Sequence, residues 1–151
     1  MTDPYDPQNV FAKIIRGEAP AYTIHEDDEV LAFLDVFPQS YGHTLVIPKT
    51  GQPRTLLDAA PEQLAALIQK VQRVARVIAD ELEPDGIQII QFNEAAAGQT
   101  VFHLHFHVIP RYEGGTLELH AAVRADDSRL EELQRRLRDR MDAAPQAPSD
   151  T

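Results

Sequence analysis

The chain has 151 residues, 43% of them apolar and 25% charged, which suits one globular domain with a sizeable core. Its formal net charge of −10 argues against a broad basic surface for duplex DNA or RNA, yet leaves room for a small nucleotide in a local pocket. Without cysteine there is neither disulfide nor thiolate chemistry, and without an apolar leader or a run near the roughly 20 apolar residues of a membrane span, the expectation is a soluble, cytoplasmic protein with no membrane partner.

Residues 1–8 carry Asp and Pro and are expected to form a flexible arm ahead of a single domain over 9–142. Val10 to Ile15 is a short apolar segment of helical type before Gly17. Tyr22–His25 and Val30–Asp35 read as strands around the acidic turn Glu26-Asp27-Asp28-Glu29, and His43–Ile47 as a third, closed by Pro48. Pro61 opens a long helix, in which Leu64, Leu67, Ile68, Val71, Val74, Ala75, Ile78 and Leu82 recur at helical spacing. Pro84-Asp85-Gly86 ends it. Ile87–Phe92 and Thr100–Ile109 read as a hairpin with a wide tip of small residues, Asn93 to Gln99. Leu130, Leu133, Leu137 and Met141 mark a shorter, strongly charged helix, suited either to a partner subunit or to the surface. Residues 143–151 read as a flexible tail. The sum is an α+β domain: an antiparallel sheet with one long helix on it.

The chemistry concentrates in His103-Leu104-His105-Phe106-His107-Val108. In a strand this alternation places all three imidazoles on one face and the apolar residues on the other. Imidazole titrates near neutrality, and three readings follow: nucleophilic catalysis with substrate binding, a Zn²⁺ site, or a polar sheet face. Gly98-Gln99-Thr100, directly before the run, offers backbone N–H groups, an amide and a hydroxyl to a phosphate, or is an ordinary bend. Asp35 ends an apolar strand, where a carboxylate accepts two hydrogen bonds from a ribose diol or serves as a cap. His43 opens a strand, and Asn93 either orients a ligand or shapes its turn. His25 and His120 stand alone and are given no role.

These residues resemble the histidine triad family of nucleotide hydrolases and transferases. The family's alternating pattern is complete as His103-Leu104-His105-Phe106-His107-Val108-Ile109. The resemblance extends to Phe11 through Glu18, Phe33-Leu34-Asp35, Gly42 through Lys49 and Asn93 through Pro110. It implies a HIT-like fold, a five-stranded antiparallel sheet with one long and one shorter helix, and a homodimer whose two sheets join into ten strands. It implies hydrolysis of AMP-X substrates through a nucleotidyl-histidine, with His105 as nucleophile and His107 on the α-phosphate. Histidine at the third position, where transferases carry glutamine, favours hydrolysis. His103 and His43 match supporting positions, and Gln99 and Thr100 match residues facing the phosphate and leaving group. Asp35 matches the ribose acid, Asn93 a sugar or phosphate contact, and Phe11, Ile14, Phe33, Val36 and Leu45 the walls of a purine pocket. Some bacterial members hold a structural zinc, but Asn9, Ala12 and Gly51 stand at three of its four ligand positions, so neither metal nor cofactor is expected. An adenosine 5′-phosphoramidate is the favoured substrate. Dinucleoside polyphosphate hydrolysis, a nucleotide-binding module with residual turnover, and a metal-dependent hydrolase are the alternatives.

Overall fold

In the computed structural model, which describes residues 3–115 and 123–143, Asn9 starts the first helix, α1 (Val10–Ile15). Its side-chain oxygen accepts the Ala12 N–H at 2.9 Å and so caps a donor the helix leaves unpaired. The strands are β1 (Thr23–Glu26), β2 (Val30–Leu34), β3 (Thr44–Pro48), β4 (Gly86–Ile90) and β5 (Phe106–Arg111). Helix α2 (Pro61–Leu82) joins β3 to β4, and α3 (Asp127–Ala143) follows β5. The five strands form one antiparallel sheet in the order β1-β2-β3-β5-β4. His120 and the tail beyond Ala143 lie outside the described residues. Among the described residues no helix is long and apolar enough to cross a membrane.

Strands β2 and β3 are buried at every position, because both faces of the sheet are covered. On one face Val30, Ala32, Leu34, Val46 and Val108 meet Leu67, Val71, Val74 and Ile78 of α2 and the leucines of α3. On the other face Leu31, Phe33, Leu45 and Ile47 pack with Phe11 of α1. Short α1 leaves part of this second face open, and the histidines look out there.

Helix α2 has the bounds its spacing predicts. Pro61 sits in its first turn, and Glu83, in left-handed backbone at φ 49°, closes it before Pro84. Ile68, read as part of its buried stripe, is instead 48% exposed. The shorter helix α3 corrects a second expectation. It lies neither on a partner nor loosely on the surface, for Leu130, Leu133, Leu137 and Met141 are all buried against this chain's own β1 and α2.

The largest departure concerns the histidine run. Only Phe106–Arg111 is strand, so of the three histidines only His107 belongs to the ladder. Residues 100–105 are irregular. The cause is Pro48. The β3–β5 register pairs Thr44 with Val108 and Val46 with Phe106, so its continuation sets Pro48 opposite Leu104. Proline has no N–H to give a ladder. The Leu104 N–H donates to Pro53 O at 2.9 Å instead, drawing the chain out of the sheet.

Candidate active site

Gly42, at φ +101°, turns the chain into β3, and a Cβ there would come within 3.0 Å of Pro110 Cγ. The next residue, His43, is thereby buried at the start of β3, beside His107 of β5. His105, one step outside β5, brings its ring centroid to 5.0 Å from that of His107. Phe11 packs edge-on against His105 at 5.0 Å, and Phe92 against His107 at 5.7 Å. Three imidazoles thus converge without a common strand face, held by aromatic edges and by hydrogen bonds.

Those bonds fix each tautomer, because their partners have fixed roles. The Gln39 backbone N–H can only donate, and it does so to His43 Nδ1 at 3.0 Å. The His43 proton therefore sits on Nε2, which donates to His107 Nδ1 at 2.9 Å. The His107 proton is in turn left on its Nε2. The His103 carbonyl can only accept, and it takes His105 Nδ1–H at 2.7 Å. His105 Nε2 then carries a bare lone pair. His103 donates from Nε2 to Pro48 O at 2.8 Å. The site therefore presents one N–H donor, on His107, next to one nitrogen nucleophile, on His105.

Burial favours the neutral form of His43, His103 and His105. It lowers the His105 pKa, against a weaker opposing effect of the His103 carbonyl. It holds His43 down to about 3, helped by the charge of Arg111, and His103 down to about 4. Burial acts in the opposite sense on Asp35, pushing its carboxyl up to about 6 although the Phe37 N–H donates to it at 2.8 Å. Asp35 Oδ2 stands 3.6 Å from His43 Nε2.

The histidines open into a cleft of about 460 Å³. Phe11, Ile14, Phe33, Asp35, Val36, Leu45, Thr100, His105, His107 and His43 all line it. Its walls are mostly apolar, with the Asp35 carboxylate and the imidazoles among them, as in most small-ligand sites. Val10, Phe37 and Val101 line it too, unmarked in the sequence reading, although each adjoins a residue that was marked.

Asn93, Gly98, Gln99 and His103 lie outside that lining. Asn93 Oδ1 accepts the Leu56 N–H and the Gln91 side-chain amide, each at 2.9 Å. Gln99 is 3% exposed, and its amide is spent on the Glu94 N–H and on the carbonyls of Arg54 and Val101. Gly98, at φ +106°, lets the loop pass Phe92, which a Cβ would meet at 3.1 Å. These residues build the loop that carries Thr100 and the histidines.

Asp35, His43 and His107 also bring three atoms of ligand type within 4.8 Å of one another. His43 Nε2 and His107 Nδ1 are already paired with each other in the 2.9 Å hydrogen bond. A metal that took these two nitrogens would first have to break that bond.

The HIT domain matches residues 16–114. A Hit-like protein from Bartonella henselae, described as involved in cell-cycle regulation, has a crystal structure that is similar at TM-score 0.84 and 48% identity, covering 91% of this chain and 99% of that one. A hypothetical histidine triad nucleotide-binding protein from Sulfolobus tokodaii is similar at TM-score 0.80 and 34% identity, covering 87% of this chain and 91% of its own. The adenylylsulfatase HINT3 of Arabidopsis thaliana is 41% identical over 122 residues, which are 81% of this chain and 61% of that protein.

Proposed function

This chain belongs to the HIT family, and from that premise we propose that it is a metal-independent purine-nucleotide hydrolase that cleaves AMP-X substrates, adenosine 5′-phosphoramidates above all. The observation that carries this reading is the 2.7 Å bond from His105 Nδ1–H to the His103 carbonyl, which leaves Nε2 as the free nucleophilic nitrogen in a nucleotide-sized cleft. In the first step the Nε2 lone pair forms a bond to the α-phosphorus, and the bond from phosphorus to X breaks. The leaving amine departs with a proton, for which the Thr100 hydroxyl at the cleft is the nearest candidate donor of the loop. In the second step water adds to the phosphorus and gives up a proton that restores the Thr100 hydroxyl, the P–N bond returns its electron pair to Nε2, and AMP leaves. His107 Nε2–H donates to the phosphoryl oxygen, where negative charge builds in both steps. Asp35 accepts the ribose hydroxyls, and Phe11, Ile14, Phe33, Val36 and Leu45 enclose the base.

A second leaving group is favoured by a specific similarity. The Arabidopsis relative is an adenylylsulfatase, so AMP joined to sulfate is another substrate of the same AMP-X type. The chemistry at phosphorus is unchanged, and sulfate leaves without needing a proton. We propose further that the protein acts as a homodimer joined through β4, the edge strand beside β5.

The test is to incubate the purified protein with adenosine phosphoramidate, adenylyl sulfate and diadenosine tetraphosphate, with and without EDTA, beside His105→Asn. AMP release that survives EDTA and falls on the order of a thousand-fold or more in His105→Asn, with AMP still bound, is the expected result. Full activity in the variant, or loss of activity on chelation, overturns the mechanism. Binding of AMP with turnover of none of the three makes the protein a nucleotide-binding module.

A further inference from the structure

Residues 100–105 carry His105 into the cleft with no ladder to hold them, so every fixing is lateral. The Leu104 N–H goes to Pro53 O, and the Arg54 guanidinium stands 4.2 Å over the Phe102 ring. The central fixing is His103, 1% exposed, whose Nε2–H is held by Pro48 O. Its Nδ1 is therefore a buried acceptor that needs a donor. That donor comes from the far end of the chain: the Tyr5 hydroxyl, 98 residues away in sequence, lies 2.6 Å from it. The Tyr5 ring also packs edge-on against the imidazole at 5.6 Å, and nearby Asp3 pairs with Arg54 at 3.8 Å.

We propose that Tyr5 is a positioning residue for the nucleophile: its hydroxyl locks the His103 ring, and the His103 carbonyl then aims the His105 ring at the cleft. The proposal rests on the assignment of His105 as nucleophile. Tyr5 does not itself line the cleft; its hydroxyl meets the His103 ring and the side chain of Asn9, and its route to the nucleophile runs through His103. Three hydrogen bonds meet at His103: Tyr5 O–H to its Nδ1, its Nε2–H to Pro48 O, and His105 Nδ1–H to its carbonyl. With the hydroxyl removed, His103 Nδ1 is left as a buried acceptor that must find water or a proton. Either event tilts the imidazole and moves the carbonyl that His105 leans on. The segment 3–8, in this view, is part of the catalytic frame.

Tyr5→Phe in the full chain keeps the ring and removes only the donor. The expected result is a kcat about five-fold lower, with KM and AMP affinity within about two-fold of the parent. Nitrogen-15 NMR should show His103 Nδ1 losing its hydrogen bond and the His105 Nδ1–H resonance shifting, in a protein that remains folded. An unchanged kcat together with an unchanged His105 resonance overturns the proposal. So does a Tyr5→Phe protein equal to the parent beside an impaired Tyr5→Ala, which would mean that the ring packs and the hydroxyl does nothing. If the parent itself turns over no adenylyl substrate, it is the hydrolase reading that fails. The His105 resonance in Tyr5→Phe then decides the positioning role alone.

Discussion

At the scale of single residues, burial drives the acid and the imidazoles of one cleft in opposite directions. It lowers the pKa values of His43, His103 and His105 and raises that of Asp35, so around neutral pH the rings are uncharged and the carboxylate is close to taking up a proton. The consequences for rate and for affinity therefore separate with pH. Burial lowers the His105 pKa below the ordinary imidazole value of 6.5, so the acid limb of kcat should lie below that value. Asp35 titrates at about 6, and below that value it loses the charge with which it would accept ribose hydroxyls, so KM should rise and kcat/KM should fall with a limb near there. Asp35→Asn should abolish that limb, raise KM about ten-fold at neutral pH and erase the preference for ribonucleotides over 2′-deoxy analogues. Steady-state rates on both sugars across the pH range check all three. A variant that still prefers the ribonucleotide would remove Asp35 from ribose binding.

At the scale of elements, legibility followed from whether one local rule decided the outcome. Helix α2 was readable because Pro61, the recurring aliphatics and Pro84 all point to the same bounds. Strands β1 to β4 each emerged within a residue or two, since their apolar runs end at turn residues. The histidine run misled because alternation marks a strand only where a partner can continue the ladder, and Pro48, far off in sequence, cannot. The identities of the reactive residues were nevertheless legible, for the cleft gathers ten of the predicted positions by packing and hydrogen bonds rather than by strand geometry. Gln99 and Asn93 carried no local sign that their amides are spent on backbone groups, and Tyr5 carried none of its distant contact. Helix α3 was readable as a helix but not in its docking, since a leucine stripe does not name what it packs against. Its place on the sheet gives a sharp expectation. Leu137 is fully buried between α3 and the sheet core, so Leu137→Ala should cost about 2–5 kcal/mol by loss of contact and opening of a cavity. Urea unfolding with an unchanged slope would measure it. A loss under about 1 kcal/mol would mean that α3 contributes little to the core.

At the scale of the whole molecule, the two edges of the sheet are unequal. Edge strand β1 is packed by α3, whereas β4 pairs with β5 on one side and, among the described residues, with no strand on the other. An edge of five residues rich in isoleucine is a template for pairing unless something covers it. Ile89 is 43% exposed, and its ladder partner Val108 belongs to the helix-side core, so Ile89 faces the same side of the sheet as α2. Ile68, the member of the α2 stripe that escapes burial, and Leu57, just ahead of that helix, are exposed too, at 48% and 60%. Pairing β4 with its two-fold copy would complete the ladders of both edges and bury these side chains together, giving one sheet of twice the strands. Sedimentation equilibrium should then return twice the chain mass at micromolar concentration. Ile89→Lys would place an unpaired ammonium in that seam and should raise the dimer dissociation constant by roughly two orders of magnitude. A parent protein that sediments as a monomer removes the dimer altogether. A lysine variant that stays dimeric moves the interface away from β4. If dissociation by Ile89→Lys leaves kcat and KM untouched, each cleft is complete within one chain, and the partner serves only to cover the edge.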